Sequence, residues 1–199
     1  MIRMRLNELL AERSKTANRV FIDTGISRST LSGIINNSNK MVQLETLNTL
    51  CTYLDIQPGE FFEHTNFDLE FAAEIDESKL NIMDESNLEN LYVDIRVDPV
   101  SVVIYCKKKY MAHTETLTGK YTLSETSFIE VEDKTPSIEF PEIHWREGGS
   151  NEINDLLFSL SPAFQQIAGE LAGEAASKEL SRVIKDSTDI DLSIPVDFV

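Results

Sequence analysis

The chain has 199 residues, of which 41% are hydrophobic and 26% charged, a balance that excludes a disordered polymer and leaves room for one large domain or two small ones. Its formal net charge is -16, which argues against a broadly basic, nucleic-acid-coating protein. Two cysteines, Cys51 and Cys106, far apart and in apolar surroundings, exclude a disulfide framework or a CxxC metal clip and suit a reducing, cytoplasmic setting.

In chain order, residues 2–13 read as a first helix, with Ile2, Leu6, Leu9 and Leu10 at helical spacing. A short second helix is expected from Thr16 to Asp23, with Thr16 as N-cap. Gly25 supplies a turn that needs positive φ. Ser27 caps a third helix that reaches about Asn36 and turns Leu31, Ile34 and Ile35 toward a core. The run "NNSNK" ends it, because Asn and Ser favour turns. Leu44, Leu47, Leu50, Cys51 and Leu54 make the stripe of a fourth helix, and "QPGEFF" opens a short fifth, with Pro58 at its start.

Beyond His64 the texture changes. "FDLEFAAEI", "LYVDIRVD", "SVVIYCKKKYMAH", "GKYTLS", "FIEVE" and "SIEFPEI" are short runs rich in β-branched and aromatic residues, with turn signals at "DPVS", "LTGK" and "EDKTP". In one of them Leu91, Val93, Ile95 and Val97 share a face and Tyr92, Asp94 and Arg96 take the other, the pattern of a half-buried antiparallel strand. "NEINDLLFSL" restores a helical period. A longer helix follows, with Ser161 as N-cap, Pro162 at its first position, and a stripe of Phe164, Ile167 or Ala168, Leu171, Ala175, Leu180, Val183 and Ile184. "DIDLSIPVDFV" reads as a final strand, placed at a sheet edge by Pro195. The order of β-runs and then helices predicts an α+β domain with a mostly antiparallel sheet and two C-terminal helices.

Charge divides the chain as texture does. Up to His64, seven Lys and Arg face seven Asp and Glu, so the whole excess of -16 lies in residues 65–199. Two domains with different tasks are expected, 1–64 and 65–199.

The stretches "IRMRLNELLAERSKT", "VFIDTGISRSTLSGIINN" and "QLETLNTLCTYLDIQPGEFF" together resemble the Cro/repressor-type helix-turn-helix of the Xre family, over about a third of the chain. The resemblance implies an all-α, five-helix, lambda-repressor-like domain that binds double-stranded DNA, and a transcriptional repressor of phage or mobile-element type that meets a palindromic operator as a homodimer. A helix-turn-helix places its second helix in the major groove, N-terminal residues foremost. Arg28 and Ser29 lead, and Arg can donate two hydrogen bonds to guanine. Thr30, Ser32 and Asn36 complete the expected base-reading set. In this family the start of the preceding helix often carries Gln. Here it carries Ala17 and Asn18, so the phosphate contact falls to Thr16 or Asn18, with Arg19 and Lys40 beside it. A small residue is usual where Phe21 stands, so the bulky ring implies altered packing where the helices cross. The plain alternative is a degenerate helix-turn-helix that only packs against protein.

Other features offer less. Lys107, Lys108 and Lys109 read as a solvated edge that blocks strand addition, or as a contact to DNA flanks. His64, His113 and His144 lack paired ligand spacing, so no metal site is expected. Glu139, Glu142 and Glu147 near Trp145 read as a solvated acidic face, and Cys51 as a core residue. No nucleophile, base and acid constellation marks an enzyme, and no cofactor is expected. Ala172-Gly173 mimics the scissile bond of self-cleaving repressors, but it lies deep in a helical pattern with no protease domain after it. The small residues Ala168, Gly169, Ala172, Gly173, Ala175 and Ala176 predict a close helix-on-sheet or intersubunit contact. "MIRMRLNELLAER" has no long apolar core, so no signal peptide is expected. No run approaches the roughly eighteen apolar residues of a membrane span. An antitoxin or immunity-type protein is the second reading: its acidic domain would bind a basic partner protein while the helix-turn-helix autoregulates.

Overall fold

The computed structural model describes residues 1–87, 92–131, 137–139, 141–143 and 152–198. The chain divides into two compact units, Met1–Phe67 and Asp68–Val199.

The first unit begins with a strand, not a helix. β1 (Ile2–Met4) pairs antiparallel with β2 (Phe62–His64), and α1 (Leu6–Glu12) follows. Ile2 therefore sits outside the predicted stripe and is 68% exposed, whereas Leu6, Leu9 and Leu10 are buried. The N-terminal ammonium donates to the carbonyls of Thr65 and Phe67. Arg3 ties the pair to α1 through Glu63 and Glu8, each at 2.6 Å. α2 (Ala17–Thr24), α3 (Arg28–Ile35), α4 (Leu44–Leu54) and a single turn, α5 (Pro58–Phe61), complete the unit. Val20, Leu31, Ile34, Leu50, Leu54 and Phe61 fill its core. Leu44 is not in that core: it lies on the first turn of α4 and is 81% exposed.

The second unit holds two sheets and two helices. β3 (Asp68–Ile75), β6 (Val100–Lys109), β7 (Thr114–Leu123), β10 (Glu142–Ile143) and β11 (Asp197–Phe198) form one, in the order β11-β10-β7-β6-β3. β4 (Ile82–Asp84), β5 (Tyr92–Val97), β8 (Thr126–Val131) and β9 (Ser137–Glu139) form the other, in the order β4-β5-β8-β9. All pairings are antiparallel except β10 with β11, which is parallel. The "DPVS" signal marks a corner, not a reversal. Register runs on from Val97 opposite Thr126 to Val100 opposite Leu123, so one long ribbon passes from sheet to sheet where Pro99 cannot donate to a ladder.

Several expectations for this unit change. The "LTGK" signal is no turn: residues 117–120 lie within β7 and pair with β6. Lys107–Lys109 lie on β6, which is flanked on both sides by β3 and β7 and is no edge. Two of their charges are met across the sheet: Lys109 pairs with Glu70, and Lys108 with Glu115 at 3.2 Å. Asp94, expected on the solvent face, is only 3% exposed. The Tyr92 hydroxyl donates to it at 2.8 Å, Arg96 at 3.3 Å, and the Ser86 hydroxyl accepts from its backbone N–H, so burial leaves no polar group unmet. The run 189–196 is irregular, and only Asp197–Phe198 joins a sheet, at its edge.

α6 (Glu152–Ser159) buries Ile153, Leu156 and Leu157, and Asn154 accepts from the Tyr121 hydroxyl at 3.0 Å. α7 (Pro162–Thr188) starts at the Ser161 cap and packs on β3, β4, β6 and β11. Its inward face is the small-residue face. Ala168, Gly169, Ala172, Gly173 and Ala176 are buried, while Ile167, Leu171 and Ala175 of the predicted stripe are half-buried. The contact is made within the chain: a Cβ on Gly173 would run into the Val196 carbonyl oxygen. The Ser177 hydroxyl donates to the Ile194 carbonyl at 2.6 Å and holds the C-terminal segment along the helix.

Candidate nucleic-acid interface

Local chemistry sets the α2–turn–α3 geometry. The Thr16 hydroxyl caps α2 by accepting from Arg19 N–H at 3.3 Å. α2 ends at Gly25, whose φ of 74° is left-handed and whose N–H returns to the Phe21 carbonyl. Ser27 then caps α3 by accepting from Thr30 N–H at 3.1 Å. On α3, Leu31, Gly33 and Ile34 are buried, so helical geometry turns Arg28, Ser32 and Asn36, spaced four apart, to one exposed stripe with Ser29 beside it. Gly33 packs against the end of the Asn39 side chain, which would have to shift to admit a Cβ. The following loop is fixed by Asn37, which takes positive φ and clamps Met4 through both its carbonyl and its amide group.

The predicted residues are not equivalent. Arg28 is exposed; its Nη2 donates to Asn18 Oδ1 at 3.0 Å, and its guanidinium lies 4.3 Å from the Phe21 ring centroid. Thr30 is half-buried and its hydroxyl is shared with Ser27 at 2.8 Å, which makes it part of the cap. Ser29 also contacts the Ser27 hydroxyl, at 2.9 Å. Asn36 donates to the Ser32 hydroxyl at 3.3 Å. Arg19 pairs with Asp23 at 2.9 Å, and Asp23 also accepts from the Tyr53 hydroxyl at 2.8 Å. That hydrogen bond, with Arg19 nearby, holds the Asp23 carboxyl below the usual carboxylate range against some desolvation. Thr16, Asn18 and Lys40 are exposed.

Sequence reasoning missed two features of this surface. Phe21 is conspicuous in the sequence for its bulk alone, and its partner is Arg28. Lys15, 4.7 Å from the Tyr53 ring centroid, is a further cation of the unit. Pairing distinguishes the cations behind the zero net charge. Arg3, Arg5, Arg13 and Arg19 each meet a carboxylate, whereas Arg28 meets none among the described residues.

Other candidates stay apart. His64 and His113 lie in different units, His113 is stacked on Tyr110 at 4.4 Å, and His144 lies outside the described residues. So do Trp145 and Glu147 of the acidic run, while Glu142 is exposed on β10. Among the described residues no group of His, Cys, Asp and Glu side chains could hold a metal ion, and no helix is long and apolar enough to cross a membrane. Both thiols are buried. Burial pushes Cys51 up and Cys106 to about 11.

Two capped helices around a left-handed glycine, with an exposed polar stripe on the second, make a helix-turn-helix. Residues 5–67 match the family of Cro/C1-type HTH DNA-binding domains. Comparison with curated proteins and with solved structures returns no match.

Proposed function

We propose that the protein is a sequence-specific transcriptional repressor that binds a palindromic operator as a homodimer. The helix-turn-helix reads the DNA, and the acidic α+β unit pairs subunits or receives a signal. The observation that carries this reading is Arg28. It stands at the N-terminal end of α3, exposed and paired with no carboxylate among the described residues, where a recognition helix meets base edges. On this reading Arg28 contacts guanine, Ser29, Ser32 and Asn36 follow along the groove, and Thr16, Asn18 and Lys40 meet phosphates. Arg19 joins them only by exchanging Asp23 for a phosphate. A dimer would place two readers about 34 Å apart, one DNA turn.

The test is titration of the full chain against its selected operator, for wild type and Arg28→Ala. A loss of about 1–3 kcal/mol, concentrated at one guanine of each half-site, is expected. Unchanged affinity and unchanged sequence preference would overturn the assignment. The segregation of all net negative charge beyond residue 64 supports a second reading, an antitoxin or immunity-type protein whose acidic unit binds a basic partner. Co-purification of a basic protein in fixed stoichiometry would favour it over the operator-only role.

A further inference from the structure

We propose that Phe21, with Asn18, is a specificity-determining positioning residue that holds Arg28 ready to read guanine before DNA arrives. The proposal rests on the recognition-helix reading above. A guanidinium is a rigid plane, and two contacts hold it: its central carbon lies over the Phe21 ring, 4.3 Å from the centroid, and its Nη2 donates to Asn18 Oδ1 at 3.0 Å. The support is itself fixed, because Phe21 is partly buried against the core of the unit. Asn18 and Phe21 lie near one another on α2, and Arg28 is the first residue of α3, so the contact spans the turn that joins the two helices.

The choice of partners matters. A carboxylate would orient Arg28 equally well, but it would neutralise the cation and occupy two of its donors. A neutral amide oxygen and an aromatic face leave the charge intact and the remaining N–H groups available for guanine O6 and N7. Every other arginine of the unit is held by a carboxylate. Pre-ordering a long side chain also reduces the entropy lost on binding.

The experiment measures affinity of the full chain for its selected operator and for the same operator with the Arg28-dependent guanine replaced. Phe21→Leu keeps apolar volume and removes the ring. It is expected to weaken the guanine operator about threefold and leave the substituted operator unchanged. Phe21→Tyr restores the ring and wild-type affinity. In an Arg28→Ala background, Phe21→Leu adds no further loss. Asn18→Ala, at an exposed position outside the core, loses its phosphate contact on both operators but weakens the guanine operator more than the substituted one, and serves should Phe21→Leu not fold. The proposal is overturned if Phe21→Leu binds like wild type, if its loss persists without Arg28, if it tightens binding by releasing Arg28, or if Asn18→Ala weakens all sequences equally. If Arg28→Ala itself changes nothing, the recognition-helix reading falls instead, which separates the two failures.

Discussion

The salt dependence of DNA binding follows from how the arginines are paired. The helix-turn-helix unit carries seven Lys and Arg, but Arg3, Arg5, Arg13 and Arg19 already meet carboxylates. Lys15, Arg28 and Lys40 remain as cations without an ion pair among the described residues. At most these three displace counterions from each half-site, so log K against log salt should slope by about -3 per reader and about -5 for a dimer on two half-sites. Between 50 and 200 mM salt that is a loss of about 10³-fold. The excess carboxylates of the second unit repel phosphates, and salt screens that repulsion, so they can only make the slope shallower. Fluorescence anisotropy with a labelled operator over that salt range measures it. A slope of about -9 or steeper for the dimer would refute the reasoning, since the paired arginines would then have to leave their carboxylates for DNA.

Two further outcomes test other parts of the structure. Gly173→Ala gains about 1 kcal/mol of helix propensity. Its Cβ, however, must displace the Val196 carbonyl, a backbone segment held by Ser177, at an overpacking cost of about 1–3 kcal/mol. Thermal melting of the full chain should show a lower Tm, and a higher one would count against the close contact. Tyr53→Phe removes the largest cause of the lowered Asp23 pKa. A carboxyl with a folded pKa below its unfolded value stabilises the fold above the unfolded pKa, and that contribution disappears as pH falls through the folded value. The variant should therefore begin acid unfolding at higher pH, with Asp23 titrating higher by NMR. An unshifted Asp23 titration would remove Tyr53 as the cause.

What the sequence made legible was local. Thr16, Gly25 and Ser27 act on backbone groups within three or four residues, so each cap and turn could be read from a short window. What it hid was non-local. Ile2–Met4 looks helical beside Leu6 and Leu9, and becomes a strand only because Phe62–His64 offers a partner some sixty residues away. Lys107–Lys109 looked like an edge because their counter-charges, Glu70 and Glu115, lie on two different strands. Asp94 looked solvated because alternation alone does not show that Tyr92 and Arg96, two residues to either side, turn onto its carboxylate. On α7 the large apolar residues Leu171 and Ile167 suggested the buried stripe, but a close backbone approach at Val196 selects the small ones. At the reading surface, Phe21 was visible as an anomaly, and only the fold supplied Arg28 as the reason for it.

Within the zero net charge of the reading unit, four of the seven acids are committed to structural pairs. Glu8 and Glu63 hold Arg3 to the β1–β2 pair, Glu12 holds Arg5 and Arg13, and Asp23 holds Arg19. These acids neutralise arginines that brace the unit and leave Arg28 uncompensated. A reader with so few available cations has weak sequence-independent affinity, because that affinity comes almost wholly from phosphate neutralisation. Base contacts then carry a larger share of operator binding than in a basic protein of the same fold. Each degree of disorder in Arg28 would cost proportionately more, and this is the setting in which a ring and an amide that orient one guanidinium make a measurable difference to specificity.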